Sequence, residues 1–389
     1  MSVAYLAAQE QPFRRVLVCR LSDDQEPFAD TLRNQSWLQS GLRYVSALQA
    51  RGFSAQDAIV FARRMRASGR ELHARLGRQS PQGFGVVRLR DQSEAATLER
   101  QANDMGVAVR ALLPSQAQGY TGQLYEPGGI YYATPELVFD EAELLEELRQ
   151  QFTRLGGNVL VVDQPVALHA NGGGLHVSLG GAVLRAPMTV LAAGVGTIPM
   201  LESIGLQSPQ FAATQTPLAV IQQFVLPYST QNPKPRILVD RVSGYSVVSH
   251  PPSNDLPNGA AVLGAGYARP FSFVPPNQRQ IPTGDWTNLW AQLPPALQAL
   301  QSNSRCTAGV EIGRAGFLDV LPHVEASVAF PGLYIAVPGR ATLAMRVAQE
   351  VVDLFPSAAS PSALQVTGSA WNSGIHMHHN PHYGGLHNV

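Results

Sequence analysis

The chain has 389 residues, 45% of them hydrophobic and only 14% charged, enough to bury a large core as one big domain or two intimately joined ones. Its 28 basic and 28 acidic residues cancel to a formal net charge of zero, so the clustered positive charge that nucleic acid or an anionic membrane surface calls for is missing. Cys19 and Cys306 are too few for a disulfide framework and lack zinc-site spacing, which makes a reducing cytoplasm the expected compartment.

No apolar run approaches the roughly 20 residues that span a bilayer, and the first residues lack the basic start and apolar core of a secretory signal. Ser2–Ala8 reads as the end of a helix and Arg15–Cys19 as a buried strand. The stretch Asn34-Gln35-Ser36-Trp37-Leu38-Gln39-Ser40-Gly41-Leu42-Arg43-Tyr44 follows. On its residues alone it is the start of an N-capped helix whose Trp37 and Leu38 pack in the core. From Ser54 to Arg78 the apolar residues have helical spacing, and the arginines opposite them read as a solvated face. Gly83–Leu89 reads as a strand and Ser93–Met105 as a helix. After Pro127–Tyr132 and Phe139-Asp140 comes a helix over Glu141–Leu155.

Met188–Thr197 is the stretch around which the chain is organised. It is a short apolar run closed abruptly by Gly194 and Gly196, the pattern of a central parallel strand buried on both faces. Ligands in open α/β sheets sit beyond such strand ends, where small residues let backbone come close. A buried strand with a glycine turn and no ligand has the same pattern. Before it stand the Val159–Val162 strand, the segment with Val166, a Gly172–Gly174 turn and the Leu175–Leu179 strand. From about Thr214 to Pro275 the chain alternates like an antiparallel sheet. Within it, Gly264-Ala265-Gly266 lacks the third glycine and the helix of a phosphate-binding fingerprint. Gly332–Val337, Pro338-Gly339-Arg340-Ala341-Thr342 and a helix over Leu343–Phe355 give strand, glycine turn and helix, and helix N-termini attract anions. The tail after Pro361 concentrates histidines without zinc spacing or apolar periodicity, so it is expected to be dispensable for folding.

Taken in this order, the helix, the strand with Val166, the hairpin and the strand ending in Ala192-Ala193-Gly194 resemble the flavoprotein family of D-amino-acid oxidase, glycine oxidase and sarcosine oxidase. The resemblance covers most of the chain. It implies an α/β fold: a Rossmann-like FAD-binding domain interleaved with an antiparallel-sheet substrate domain. The cofactor segments would be residues 1–80, 130–210 and 305–370, the substrate segments 81–129 and 211–304, and the His-rich tail 371–389. A family member opens with a strand and a Gly-x-Gly-x-x-Gly turn before its first helix; this chain starts inside that helix, so the cofactor domain is expected to be N-terminally incomplete. Arg20 stands where the family tends to place a ribose-binding acid.

The resemblance also assigns roles. Asn34, Gln35, Ser36 and Gly41 would line the flavin, Val166 the adenine, and Ala192, Ala193 and Gly194 the turn beside the ring. Gly339, Arg340, Thr342 and Leu343 would open the helix that faces the flavin pyrimidine. Tyr245 is a candidate cavity residue, with packing of a sheet aromatic on its neighbour as the structural alternative. Asp319-Val320-Leu321-Pro322 resembles the family's Asp-x-x-Pro element, and upstream, near the family's carboxylate-binding arginine, stand Glu311 and Arg314. Glu311 would prefer a substrate amine or hydroxyl, so simple 2-amino acids are expected to be poor substrates; an ion pair between Glu311 and Arg314 is the structural alternative. The implied activity is oxidation of a small amine, amino-acid-like or hydroxy substrate by hydride transfer to FAD, with no metal and no nucleophile. The alternative is a degenerate member that binds no FAD and serves as a binding or partner protein. Without the glycine turn, FAD is expected to bind weakly, whereas a chain extended upstream would be yellow. The residues specify neither the electron acceptor nor the oligomeric state.

Overall fold

The computed structural model describes residues 1–10, 16–21, 37–76, 83–139, 141–162, 166–171, 174–179, 182–207, 211–227, 236–250, 258–265, 269–270, 287, 290–291, 293–314, 322–337, 343–356, 365–367 and 375–378. Its helices are α1 (Ser2–Glu10), α2 (Leu42–Gln49), α3 (Ala55–Arg75), α4 (Gln92–Met105), α5 (Pro114–Thr121), α6 (Glu141–Arg154), α7 (Thr197–Ser203), α8 (Pro295–Gln298) and α9 (Ala344–Asp353). The strands of the first half are β1 (Leu17–Leu21), β2 (Trp37–Leu38), β3 (Phe84–Leu89), β4 (Arg110–Ala111), β5 (Ile130–Thr134), β6 (Leu137–Val138), β7 (Asn158–Val162), β8 (Val166–Asn171), β9 (Gly174–Leu179), β10 (Ala182–Arg185) and β11 (Thr189–Leu191). Those of the second half are β12 (Phe211–Gln222), β13 (Arg236–Asp240), β14 (Tyr245–His250), β15 (Ala260–Ala265), β16 (Arg269–Pro270), β17 (Ser304–Arg314), β18 (His323–Ala326), β19 (Leu333–Val337), β20 (Gln365–Thr367) and β21 (Ile375–His378).

Local chemistry sets the helix ends. Ser54 caps α3 by accepting the Asp57 amide at 3.1 Å, and Asp91 caps α4 by accepting the Glu94 amide at 2.8 Å. The α4 helix stops at Gly106, whose φ of 67° only glycine adopts without strain. Both helices match the spans their periodicity predicts to within a few residues.

Parallel pairing occurs in three ladders among the described residues, one of them β3 with β13 inside the large sheet. β1 runs parallel to β7, and β11 runs parallel to β19, which carries β18 antiparallel on its other edge. β11 is therefore an end strand of its ladder among the described residues rather than its centre, a correction to the reading of Met188–Thr197. Its run is only half-buried at Thr189 and Val190; apolarity alone did not distinguish a flanked strand from an end one. A larger sheet of nine strands, mostly antiparallel, takes β3, β4 and β5 from one stretch of chain and β12 to β17 from another. Alternation sorts its side chains onto two faces. Leu238, Tyr245 and Val247 join the core under α5 and α8, whereas Ile237 and Val248 pack on Trp37 and Val138.

The tail is not separate from the fold. β20 pairs antiparallel with β10 and β21 with β7, which corrects the expectation of an undocked terminus. Edge pairing uses backbone amides and carbonyls that any sequence supplies, so it needs no apolar period.

Candidate functional site

Two parallel strands in register frame the candidate site, β19 running two residues beyond the end of β11. Thr189, Val190 and Leu191 are in register with Leu333, Tyr334 and Ile335, so both chains leave the ladder at the same end. Ala192, Ala193 and Gly194 then run beside the exit of β19, with Gly194 at a φ of 54°. No side chain there exceeds a methyl group, which is what a site for close backbone approach requires. Ala193 shares an apolar cluster with Ile312 of β17, and this brings the strand of Glu311 and Arg314 to the same place. Glu311 is in register with Thr214 and Arg314 with Phe211.

The loop before α2 and the start of α9 form the facing wall. Leu38 packs in one cluster with Tyr334, Ala336 and Met345. Leu343, fully buried, packs with Leu42, Tyr44 and Ala62. Gly41 joins the two by necessity: its φ is 92°, and a Cβ there would lie 2.7 Å from the Ala62 carbonyl oxygen. The first turn of α9 is tied to α3, because the Arg346 amide donates to Ser68 Oγ at 3.1 Å.

A buried carboxylate staples this loop. Trp37 Nε1 and the Ser40 amide both donate to Glu136 Oε2 at 2.7 Å, and the Ser40 hydroxyl donates to Oε1 at 2.5 Å. Glu136 is only 6% exposed. Burial raises its pKa above the ordinary carboxylate value, against the opposing pull of the Ser40 and Trp37 hydrogen bonds and the charge of Arg43. Gly85 makes room for it, since a Cβ at that position would sit 2.7 Å from Glu136 Cγ. Neither Glu136 nor Ser68 was singled out in the sequence. The available signal was a lone acid within the apolar run Thr134–Phe139, because buried acids survive only when paired or hydrogen-bonded.

The remaining candidates fall in different places. Asn34, Gln35, Ser36, Gly339, Arg340 and Thr342 lie outside the described residues. Val166 opens β8 in register with Leu179 and packs on Leu160, Leu179 and Leu184. Tyr245 is 3% exposed in the core under α5 and α8, on the sheet face opposite Val248. Its hydroxyl has no hydrogen-bond partner among the described residues, and burial raises its pKa. The α3 arginines are not all solvated as expected: Arg63, Arg64 and Arg70 are exposed, but Arg66 and Arg75 are half-buried. Among the described residues no group of three or more His, Cys, Asp and Glu could hold a metal ion, and no helix is long and apolar enough to cross a membrane.

Paired parallel strand ends, a helix start beside them and a large antiparallel sheet alongside define an α/β cofactor-binding fold joined to a second sheet domain. The chain belongs to the FAD dependent oxidoreductase family (DAO), which it matches over residues 1–354. It is similar in structure to iminodiacetate oxidase from Chelativorans sp. BNC1, with 16% identity, 91% of each chain covered and a TM-score of 0.65. Glycine oxidase from Geobacillus kaustophilus is similar at 16% identity over 92% of this chain and 93% of that one, with a TM-score of 0.61. NikD, an amino acid oxidase essential for nikkomycin biosynthesis, matches at 13% identity over 93% and 92% of the chains, with a TM-score of 0.65. No curated protein sequence is detectably similar. The family's cofactor is FAD; among the described residues, the methyl-sized turn at Ala192–Gly194 and the αL glycine Gly41 leave backbone open to close approach, as a flat ring requires.

Proposed function

We propose that the chain oxidises a small amine, amino-acid-like or hydroxy substrate at the C–H bond beside its nitrogen or oxygen. The side-by-side exit of β11 and β19, against the stapled Trp37–Gly41 loop, is the observation that carries this reading. Bound FAD supplies the two-electron acceptor for the substrate hydride. The chain's own contribution is placement and polarity. Ala192–Gly194 let backbone close on a flat ring, and the buried Leu38 and Leu343 exclude water from the wall behind it. Ser68 takes the Arg346 amide, the N-cap Leu343 supplies no side-chain cap, and the dipole favours negative charge at this helix start. Glu311, on the strand packed beside Ala193, supports a substrate that presents N–H or O–H to the protein. The names of the similar structures support the amino-acid-like end of this range.

The test is anaerobic reduction of the FAD-saturated chain by a panel of glycine, sarcosine, iminodiacetate, proline, simple amines and 2-hydroxy acids. Bleaching of the flavin bands by an amine, amino acid or hydroxy acid is the expected result. Stoichiometric FAD with no reduction by any of them would overturn the proposed chemistry, and failure to take up FAD at all would favour the partner-protein alternative.

A further inference from the structure

His323 opens β18 in register with Val337, the last residue of β19, and Glu325 is in register with Ile335. Directly opposed residues of an antiparallel pair share a face of the sheet. Val337 and Ile335 pack in one apolar cluster with Ala193, Phe211 and Ile312, so His323 stands at the exit of β19, on the face that packs against β12 and β17. The Phe211 ring meets its imidazole edge-on, with centroids 4.9 Å apart at 90°. The imidazole Nε2 lies 2.8 Å from Glu325 Oε2. A carboxylate in that place puts the ring proton on Nε2 and leaves Nδ1 to accept one. The imidazole side chain is 18% exposed and the Glu325 side chain 40%, so the ring is sheltered while the carboxylate reaches water. The other neighbours on this face, Phe211, Ile335 and Val337, carry no charge; Glu311 and Arg314 are the charged positions of β17. On the opposite face Val324 and Ala336 pack with α9, whose Arg346 and Glu350 pair with each other.

We propose that His323 is the base that takes the proton of an ammonium substrate, with Glu325 holding its ring. This narrows the proposed oxidation to amines that arrive protonated, and it rests on that reading. An ammonium nitrogen has no lone pair with which to expel a hydride. Transfer of its N–H proton to Nδ1 frees that pair. The C–H bond then breaks, its electron pair leaving as hydride to bound FAD, and the nitrogen pair forms the C=N bond of an iminium product. The substrate loses one proton and one hydride, and the proton leaves the imidazolium through Glu325 to water.

The experiment uses the FAD-saturated full chain. Anaerobic reduction by iminodiacetate and by simple amines is followed in His323→Gln, where the rate should fall at least about tenfold near pH 7 and return to within about threefold of the parent near pH 10, at which the amine arrives largely neutral. Glu325→Gln, at a half-exposed position, should lose about threefold at the lower pH with its FAD content unchanged. A second readout needs no turnover: tert-butylamine has no C–H beside its nitrogen, and saturating the parent with it should turn the His323 ring from its neutral to its protonated 15N signature. A rate deficit in His323→Gln that is equal at both pH values, parent-like rates in both variants, a ring left neutral by tert-butylamine, or bleaching by 2-hydroxy acids alone would overturn this inference and leave the proposed oxidation standing. Bound FAD with no bleaching by any of the amines, amino acids or hydroxy acids would instead sink the oxidation itself, and this inference with it.

Discussion

Replacing Glu136 with leucine and with glutamine separates two consequences of a buried carboxylate. Both fixed donors, Trp37 Nε1 and the Ser40 amide, converge on Oε2, and the other oxygen meets only the rotatable Ser40 hydroxyl. Leucine leaves two fixed donors buried and unpaired at about 1–3 kcal/mol each, partly offset because a desolvated charge is also removed, so Glu136→Leu should cost about 2–4 kcal/mol. Glutamine keeps both fixed donors on its carbonyl oxygen and offers its NH2 to the Ser40 oxygen, which turns to accept. Glu136→Gln should therefore stay within about 1 kcal/mol of the parent. The pH dependence has a definite sign. With the folded pKa raised by burial, the native state holds more protons than the unfolded chain between the unfolded and folded values. This group's contribution thus falls as pH rises through that window, and Glu136→Gln should remove the fall. Urea unfolding followed by tryptophan fluorescence, at several pH values from 4 upward (roughly the unfolded carboxylate pKa), measures all three. Equal destabilisation by leucine and glutamine, or an unchanged pH slope in the glutamine variant, would refute the donor assignment.

Four other outcomes follow from the geometry. Gly41→Ala should lose at least about 2 kcal/mol in urea unfolding, from left-handed strain and the 2.7 Å approach to the Ala62 oxygen; parent-like stability would show that the loop relaxes freely. Ser68→Ala should cost about 1 kcal/mol and loosen the first turn of α9, read as faster amide exchange at Arg346; unchanged exchange there would reject the cap. Tyr245→Phe should leave stability unchanged or slightly higher, because its buried hydroxyl has no partner among the described residues; a tenfold loss of turnover would instead place Tyr245 at the substrate. Ending the chain at Pro361 removes β20 and β21, so amides of β7 and β10 should exchange faster; identical exchange would restore the undocked tail.

What the sequence disclosed was local periodicity and turn chemistry. The spans of α3, α4 and α6, the Val166–Leu179 hairpin and the glycine exit after Leu191 are all fixed by residues close together in the chain. The order of these elements sufficed for the family. What stayed hidden depends on partners far apart. Glu136 meets Trp37 and Ser40 across almost a hundred residues, and Ser68 meets Arg346 across 278. No spacing rule links such pairs. β11 read as central because apolarity reports burial but not which strands flank it, and the tail read as free because backbone pairing leaves no apolar mark.

Three contacts around the loop and the α9 start share one element. α3 supplies the Ala62 carbonyl against which Gly41 closes, the Ser68 hydroxyl that holds the start of α9, and the Arg66–Arg70 face that lies over the loop at Gln39 and Ser40. The loop and the α9 start belong to different stretches of chain, so their spacing is set by where this one helix stands between them. A packed interior transmits small displacements instead of absorbing them. If the loop and the α9 start frame the flavin as proposed, sliding α3 along its axis would move both at once. Substitutions on its inner face, such as Ala62→Val, would then change FAD affinity without touching the cofactor, whereas the same change on the exposed face at Ala67 would not. Titrating FAD into the two variants measures this difference. Equal affinities would mean that the loop and α9 are positioned independently of α3.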